Sequence, residues 1–166
     1  MKTFYIKTFG CKVNQYDSQV IREQFLNNGF KESESSVNPD ICVVNTCAVT
    51  VRAQAKGRRY INYVKKRYPN TSLVVTGCIA GYQPESIRGN ADFLADNNGK
   101  FSLIDNFVKK KVGIGNSEGI SSFKGHTRAF IKVQDGCNQF CSYCILPYIR
   151  GRSRSRDAEN IIKEVK

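Results

Sequence analysis

Three short apolar runs, each closed by a cysteine, constrain this chain more than any other feature of it. Phe4 to Phe9 ends at Gly10-Cys11, Ile41-Cys42-Val43-Val44 ends at Asn45-Thr46-Cys47, and Ser72-Leu73-Val74-Val75-Thr76 ends at Gly77-Cys78. All three read as short strands, and the Ile41-Cys42-Val43-Val44 run as one buried on both faces, the pattern of a parallel sheet covered by helices. The intervening segments carry helical spacing. Asn14 to Asn28 places Val20, Ile21, Phe25 and Leu26 on one face, and Ala53 to Tyr68 reads as a helix stopped by Pro69. Pro84 opens a short helix of Glu85-Ser86-Ile87, Ala91 to Ala95 reads as a further strand, and Phe101 to Lys111 as a further helix. Strands alternating with helices predict a doubly wound α/β domain with a parallel sheet over residues 1–111.

In a parallel sheet the residues that follow the strands all lie on one edge, and that edge is where open α/β sheets bind their ligands. Cys11, Cys47 and Cys78 can therefore converge although they are 36 and 31 residues apart in sequence. Gly10 and Gly77 remove a side chain where a bulky ligand would approach the backbone. Spacing this wide is weak evidence alone, because buried, unliganded cysteine is common. Cys42 sits in the middle of its strand, where a small hydrophobe belongs, and is assigned to the core.

A second concentration is local: Gly136-Cys137-Asn138-Gln139-Phe140-Cys141-Ser142-Tyr143-Cys144 places three of the seven cysteines within eight residues. Such a loop can wrap one metal centre, and thiolates at that density suit an iron–sulfur cluster or zinc. A closed zinc site needs four ligands, yet the loop offers three and the only histidine, His126, lies eleven residues before Cys137. Before the loop, Gly113, Gly115, Gly119, Ser121 and Ser122 mark a linker over 112–126, and Ala129 to Val133 reads as a strand leading in. After it, Asp157 has the position of an N-cap for a helix carrying Ile161, Ile162 and Val165. Residues 127–166 number only 40, too few to hold together without a cofactor, disulfides or a partner, so the chain reads as an N-terminal fragment.

A formal charge of +12, from 26 basic against 14 acidic residues, predicts attraction to polyanions such as nucleic acid, although solubility alone also explains it. The charge is concentrated in two places. Arg52, Lys56, Arg58, Arg59, Lys65, Lys66 and Arg67 fall in a stretch with no acidic residue, and Arg150, Arg152, Arg154 and Arg156 follow the cysteine loop. The first reads equally as a solvated helix face; the second adjoins the proposed chemistry, and arginine binds phosphate bidentately. Lys2 and Lys7 interrupt the apolar positions at the start, so no secretory signal is formed, and no run approaches the ~20 apolar residues of a membrane span. A cytoplasmic protein is expected, and there an odd number of cysteines argues for metal or catalysis over disulfides.

Cys137-x-x-x-Cys141-x-Tyr143-Cys144 resembles the signature loop of radical S-adenosylmethionine enzymes, and the string Ile145-Leu146-Pro147-Tyr148-Ile149-Arg150-Gly151-Arg152-Ser153-Arg154-Ser155-Arg156 is similar to the segment next to that loop in the methylthiotransferases. Thr8-Phe9-Gly10-Cys11-Lys12-Val13-Asn14-Gln15-Tyr16-Asp17-Ser18, Asn45-Thr46-Cys47 and Thr76-Gly77-Cys78 resemble the three ligand motifs of the N-terminal domain of the same family. The resemblance covers essentially the whole chain. It implies two [4Fe–4S] clusters, one on Cys137, Cys141 and Cys144 that binds and cleaves S-adenosylmethionine, and an auxiliary one on Cys11, Cys47 and Cys78 linked to sulfur supply. It places Tyr143 near the adenine of S-adenosylmethionine, makes residues 127–166 the start of a radical S-adenosylmethionine (β/α) partial barrel, and leaves some of the arginines to cofactor binding or fold. It also implies an electron donor and a tRNA substrate. Gly10-Cys11-Lys12-Val13-Asn14-Gln15 and Arg150-Gly151-Arg152-Ser153-Arg154-Ser155-Arg156 are most like the branch that converts N6-threonylcarbamoyladenosine beside the anticodon to its 2-methylthio derivative. The isopentenyladenosine branch is the nearest rival, a branch acting on a ribosomal protein needs less basic charge, and a non-catalytic zinc or iron–sulfur RNA-binding module is the alternative outside the enzymes.

Overall fold

The computed structural model of the chain describes residues 1–34, 38–107, 119–123 and 128–166. Five strands, β1 (Thr3–Thr8), β2 (Lys31–Glu32), β3 (Ile41–Thr46), β4 (Ser72–Gly77) and β5 (Phe93–Ala95), form one parallel sheet in the order β2-β1-β3-β4-β5. Helices α1 (Lys12–Asn27), α2 (Val51–Arg67), α3 (Cys78–Tyr82) and α4 (Glu85–Arg88) connect them, and a 3₁₀ helix covers Lys100–Asn106. The two-residue β2 is an addition to the expected strands. It carries no apolar run and pairs only at the sheet edge, so periodicity gave no sign of it.

Side-chain alternation along the central strands divides the core in two. Ile41 and Val43 of β3 and Val74 of β4 face α1 and the 3₁₀ helix, packing with Ile21, Phe25, Leu103 and Ile104. Cys42, Val44, Leu73 and Val75 face the other way, toward Ile61 and Val64 of α2 and Ile79 of α3. The expected doubly wound α/β class is thus observed for this part of the chain, and Cys42 lies where it was assigned, its thiol pushed up to about 12 by burial. Helix α1 stops in a Schellman turn: Gly29 adopts φ +80°, its N–H donates to the Leu26 carbonyl and that of Phe30 to the Phe25 carbonyl, while the two rings meet edge to face at 5.1 Å. Helix α2 starts at Thr50, whose hydroxyl accepts from the Ala53 N–H at 3.2 Å.

The strand order reverses between β1 and β3, because the chain leaves β1 toward β2 on one side and returns to β3 on the other. Ligands of open α/β sheets bind at such a switch point, beyond the strand carboxyl ends. Cys11 and Cys47 flank it, and Cys78 comes directly after the adjoining strand.

The remaining segment departs from expectation in two ways. Ala129 to Val133 is not a strand; pairing begins at β6 (Gln134–Asp135), which is antiparallel to β7 (Arg154–Ser155). Between them lie the cysteine loop and α5 (Leu146–Arg150), and α6 (Ala158–Val165) comes after them, capped as expected by Asp157, whose carboxylate accepts from the N–H groups of Glu159 and Asn160. Nor is the segment without support, since it packs on the α/β unit itself: Ile149 joins the core beside Cys78, Ile79 and Ala80. Most of the expected linker, the last turn of the expected helix at Lys111, and His126 lie outside the described residues. No helix among the described residues is long and apolar enough to cross a membrane.

Candidate metal centres

Strand register brings the first three cysteines to one edge. Thr8 pairs with Asn45, Asn45 with Thr76 and Thr46 with Gly77, so the chain leaves β1, β3 and β4 at neighbouring points. Cys11 is the N-cap residue of α1 and Cys78 the first residue of α3; neither thiol is spent on capping. Two glycines make the approach possible. At Gly10, φ +113°, a Cβ would lie 2.5 Å from the Cβ and 2.8 Å from the Sγ of Cys47; at Gly77, φ +88°, it would lie 2.3 Å from the Asn45 side-chain oxygen. Asn14, fully buried, ties the turns together by donating to the carbonyls of Phe9 at 3.0 Å and Thr46 at 2.8 Å, one residue before Gly10 and Cys47 respectively.

Cys11 is exposed, whereas Cys47 and Cys78 are buried. Burial pushes the Cys47 thiol up; the Val49 N–H, 3.5 Å from its sulfur, opposes this, and the neighbouring Cys78 and Cys11 add to it. An open cavity of about 500 Å³ is lined by Phe9, Gly10, Cys11 and Cys47 together with Arg52 and Lys56. Among the described residues no three Cys, His, Asp or Glu side chains converge on the position of a single metal ion. A four-iron cluster presents a separate iron to each thiolate, so its ligands need not converge in that way. The donor set fits such a group: three free thiols, no carboxylate or imidazole lining the cavity, and two cations to balance thiolate charge.

The second set is held by local geometry. Gly136, at φ +73°, passes so close to the returning chain that a Cβ would lie 2.1 Å from the Arg152 carbonyl oxygen. The Cys137 N–H donates to the Gly151 carbonyl at 3.1 Å, the Ser153 N–H to the Asn138 side chain at 3.1 Å, and the Cys144 N–H to the Cys141 carbonyl at 2.9 Å. Phe140 is the one non-glycine with positive φ among the described residues, at +49°, and the Arg152 guanidinium covers its ring at 4.4 Å. Cys137, Cys141 and Cys144 are all half-buried, and the Gln139 N–H lies 3.5 Å from the Cys137 sulfur. Tyr143 stands on the surface, 90% exposed.

Between the two sets lies a buried charge network. Asp17 of α1 accepts from Lys100 at 2.6 Å and Lys132 at 2.7 Å and pairs with Arg150 at 3.4 Å; Asp135 pairs with Lys132 at 2.7 Å, Arg150 at 3.0 Å and Lys100 at 3.6 Å. Asp17 and Lys100 are each only 1% exposed. Arg150 also donates to the Asn14 side-chain oxygen, so the residue that ends α5 touches the residue that pins the Cys11 and Cys47 turns. Burial alone would raise the Asp135 carboxyl, but Lys100, Lys132 and Arg150 outweigh it and hold it below the usual carboxylate range. Burial likewise works against the Arg150 charge, and Asp135 and Asp17 more than restore it.

The arginine run is therefore not a uniform phosphate-facing surface. Arg150 is consumed by the network, and Arg156 bonds Glu164 at 2.5 Å, the Tyr16 hydroxyl at 2.8 Å and the Lys132 carbonyl at 2.7 Å. Arg154 donates to Asn98 at 3.2 Å. Sequence reading missed the network, yet one signal for it was present: Asp17 lies three and four residues before Val20 and Ile21, which places an acid on the apolar face of α1.

Residues 3–95 match the family described as uncharacterized protein family UPF0004. The chain is 42% identical over 98% of its length to "Threonylcarbamoyladenosine tRNA methylthiotransferase MtaB" of Chlamydia pneumoniae, and 33% identical over 99% of its length to the protein of the same name from Bacillus subtilis. It is also 33% identical over 99% of its length to "tRNA-2-methylthio-N(6)-dimethylallyladenosine synthase" of Clostridium novyi. It spans 39%, 40% and 41% of those proteins, about two fifths of each. With more than half of its residues inside the family match, the chain belongs to the UPF0004 family, in the part that it shares with tRNA methylthiotransferases.

Proposed function

We propose that this chain is the cluster-bearing N-terminal portion of a tRNA methylthiotransferase acting on N6-threonylcarbamoyladenosine, and that Cys11, Cys47 and Cys78 hold one [4Fe–4S] cluster and Cys137, Cys141 and Cys144 another. The observation that carries the reading is the meeting of the Cys11 and Cys47 turns on one cation-lined cavity at the switch point, with Cys78 directly after the adjoining strand. The chemistry such clusters supply when bound is one-electron cleavage of S-adenosylmethionine at one site and provision of sulfur at the other, with an external electron donor.

The chain's own contribution is to hold and shield. The Val49 N–H faces the Cys47 sulfur and opposes the burial that disfavours its thiolate, and the Gln139 N–H lies 3.5 Å from the Cys137 sulfur. Arg52 and Lys56 offset negative charge at the first cavity. Arg152 on Phe140 fixes the loop, and Tyr143, exposed beside Cys144, is available to the adenine of S-adenosylmethionine. Residues 127–166 then belong to the start of the partial barrel, after a boundary within 112–126, and the enzyme works where tRNA is modified, in the cytoplasm.

Anaerobic reconstitution with iron and sulfide tests the ligand assignment. About eight irons per chain are expected; Cys42→Ala keeps that figure, and alanine at Cys11, Cys47 or Cys78 removes about half of it. Stoichiometric zinc without labile sulfide would replace the enzyme by a metal-stabilised RNA-binding module. The dimethylallyladenosine branch is the second reading, because the Clostridium novyi relative matches over the same share of the chain as the Bacillus subtilis one. Mass spectrometry of tRNA nucleosides from cells lacking the gene separates the two by which 2-methylthio nucleoside disappears.

A further inference from the structure

Helix α2 carries Arg52, Lys56, Arg59, Tyr63 and Lys66, all exposed. Their spacing of four, three, four and three residues keeps them on one stripe, within an arc of about 80° at 3.6 residues per turn, and at 1.5 Å per residue the stripe is about 21 Å long. The opposite face is taken by Gly57, Ile61 and Val64, which are buried against the sheet. The other three cations of the helix have partners: Lys65 pairs with Asp92 at 2.6 Å, Arg58 donates to Gln83, and Arg67 lies over the Tyr68 ring at 5.5 Å. The helix contains no acidic residue, and among the described residues no carboxylate forms a salt bridge with Arg52, Lys56, Arg59 or Lys66.

The stripe also has a direction. Its first two cations are the ones that line the Cys11–Cys47 cavity, so it begins at the proposed chemistry and leads away from it. Tyr63, 51% exposed, sits between Arg59 and Lys66, where an aromatic face interleaves with positive charge. Cations in a line with an aromatic among them suit a nucleic-acid strand, whose phosphates follow the charges while a base or ribose stacks on the ring.

We infer that this face of α2 is a docking track for the phosphate backbone of the RNA substrate, guiding it to the cavity at the β1/β3 switch point. The inference rests on the tRNA reading above, and its test is separable from the test of that reading. Arg59→Gln with Lys66→Gln leaves the cavity wall intact. Binding of cluster-loaded chain to unmodified tRNA is measured over a salt series, and the double variant flattens the slope of log affinity against log salt by about 1.4 to 1.8, since each phosphate contact contributes roughly 0.7 to 0.9. Lys2→Gln with Lys31→Gln, at the amino end of the sheet, leaves the slope unchanged. Tyr63→Ala weakens binding by about 5- to 100-fold at fixed salt without altering the slope.

A slope identical in the wild type and the Arg59/Lys66 variant overturns the track, while a retained content of about eight irons keeps the enzyme reading standing. A flattened slope without iron supports the track alone. If heparin shows the same flattening and Tyr63→Ala has no effect on tRNA, the stripe is a general polyanion surface and the RNA assignment fails.

Discussion

The chain has two basic segments that look alike in sequence and meet opposite fates in the fold. From Arg150 to Arg156 every arginine has a partner: Asp17 and Asp135 for Arg150, the Phe140 ring for Arg152, Asn98 for Arg154, Glu164 and Tyr16 for Arg156. On α2 the four cations of the exposed stripe have none among the described residues. The difference does not lie in the runs themselves. Asp17 stands 133 residues before Arg150, on an element that packs across from it, whereas the side of α2 that meets the sheet is apolar and can only turn its cations outward. A basic run is structural when a distant acid faces it and available when none does.

The largest effect expected from this contrast is at Asp17. Replacing it by alanine leaves Lys100, Lys132 and Arg150 around the single carboxylate of Asp135, and stranding buried charge costs about 3 to 5 kcal/mol. Arg150→Leu is milder, because two cations and two carboxylates remain; its main loss is the bond to the buried Asn14 oxygen, about 1 to 3 kcal/mol. Urea unfolding with an unchanged slope measures both. Should Arg150→Leu prove the costlier change, charge balance is not what holds the network together.

These same residues mark where the sequence could and could not be read. Four of the five strands, helices α1, α2 and α4 and the edge that carries Cys11, Cys47 and Cys78 follow from local periodicity and from the rule that parallel strands share an orientation. The Cys137 loop is local and needs no topology to be noticed. What escaped was non-local: Lys100 and Lys132 are ordinary lysines until Asp17 and Asp135 face them, and the expected strand at Ala129 to Val133 finds no partner because the chain pairs with Arg154–Ser155 only from Gln134 onward. Charge partners and strand partners are properties of the assembled fold.

Acid titration sharpens the same comparison at Asp135. Its folded carboxyl is held below the usual range, so in the unfolded chain, with a pKa of about 3.9, it binds a proton more readily. The stability it contributes is complete above that value and is lost as pH falls through it toward the folded value. Asp135→Asn is expected to be less stable at neutral pH and to show a shallower decline on acidification. A wild type as insensitive to pH in this window as the variant would show that the carboxylate is not paired in solution as it is in the structure.

The smallest effect, and the one of opposite sign, belongs to α2. Lys56 lies four residues after Arg52 and three before Arg59, and like charges at those spacings destabilise a helix by about 0.2 to 0.5 kcal/mol per pair. With no carboxylate among the described residues paired to them, Lys56→Gln is expected to stabilise the chain by a few tenths of a kcal/mol, within the range of ordinary surface changes. Added salt should do the same to the wild type and less to the variant, because exposed charges are screened over about 10 Å at 0.1 M. The buried network around Asp17 should respond little to the same salt, since its members are shielded from solvent. A loss of more than about 1 kcal/mol in Lys56→Gln would mean that this cation, like Arg150, is held by the fold, and the distinction between the two basic segments would collapse.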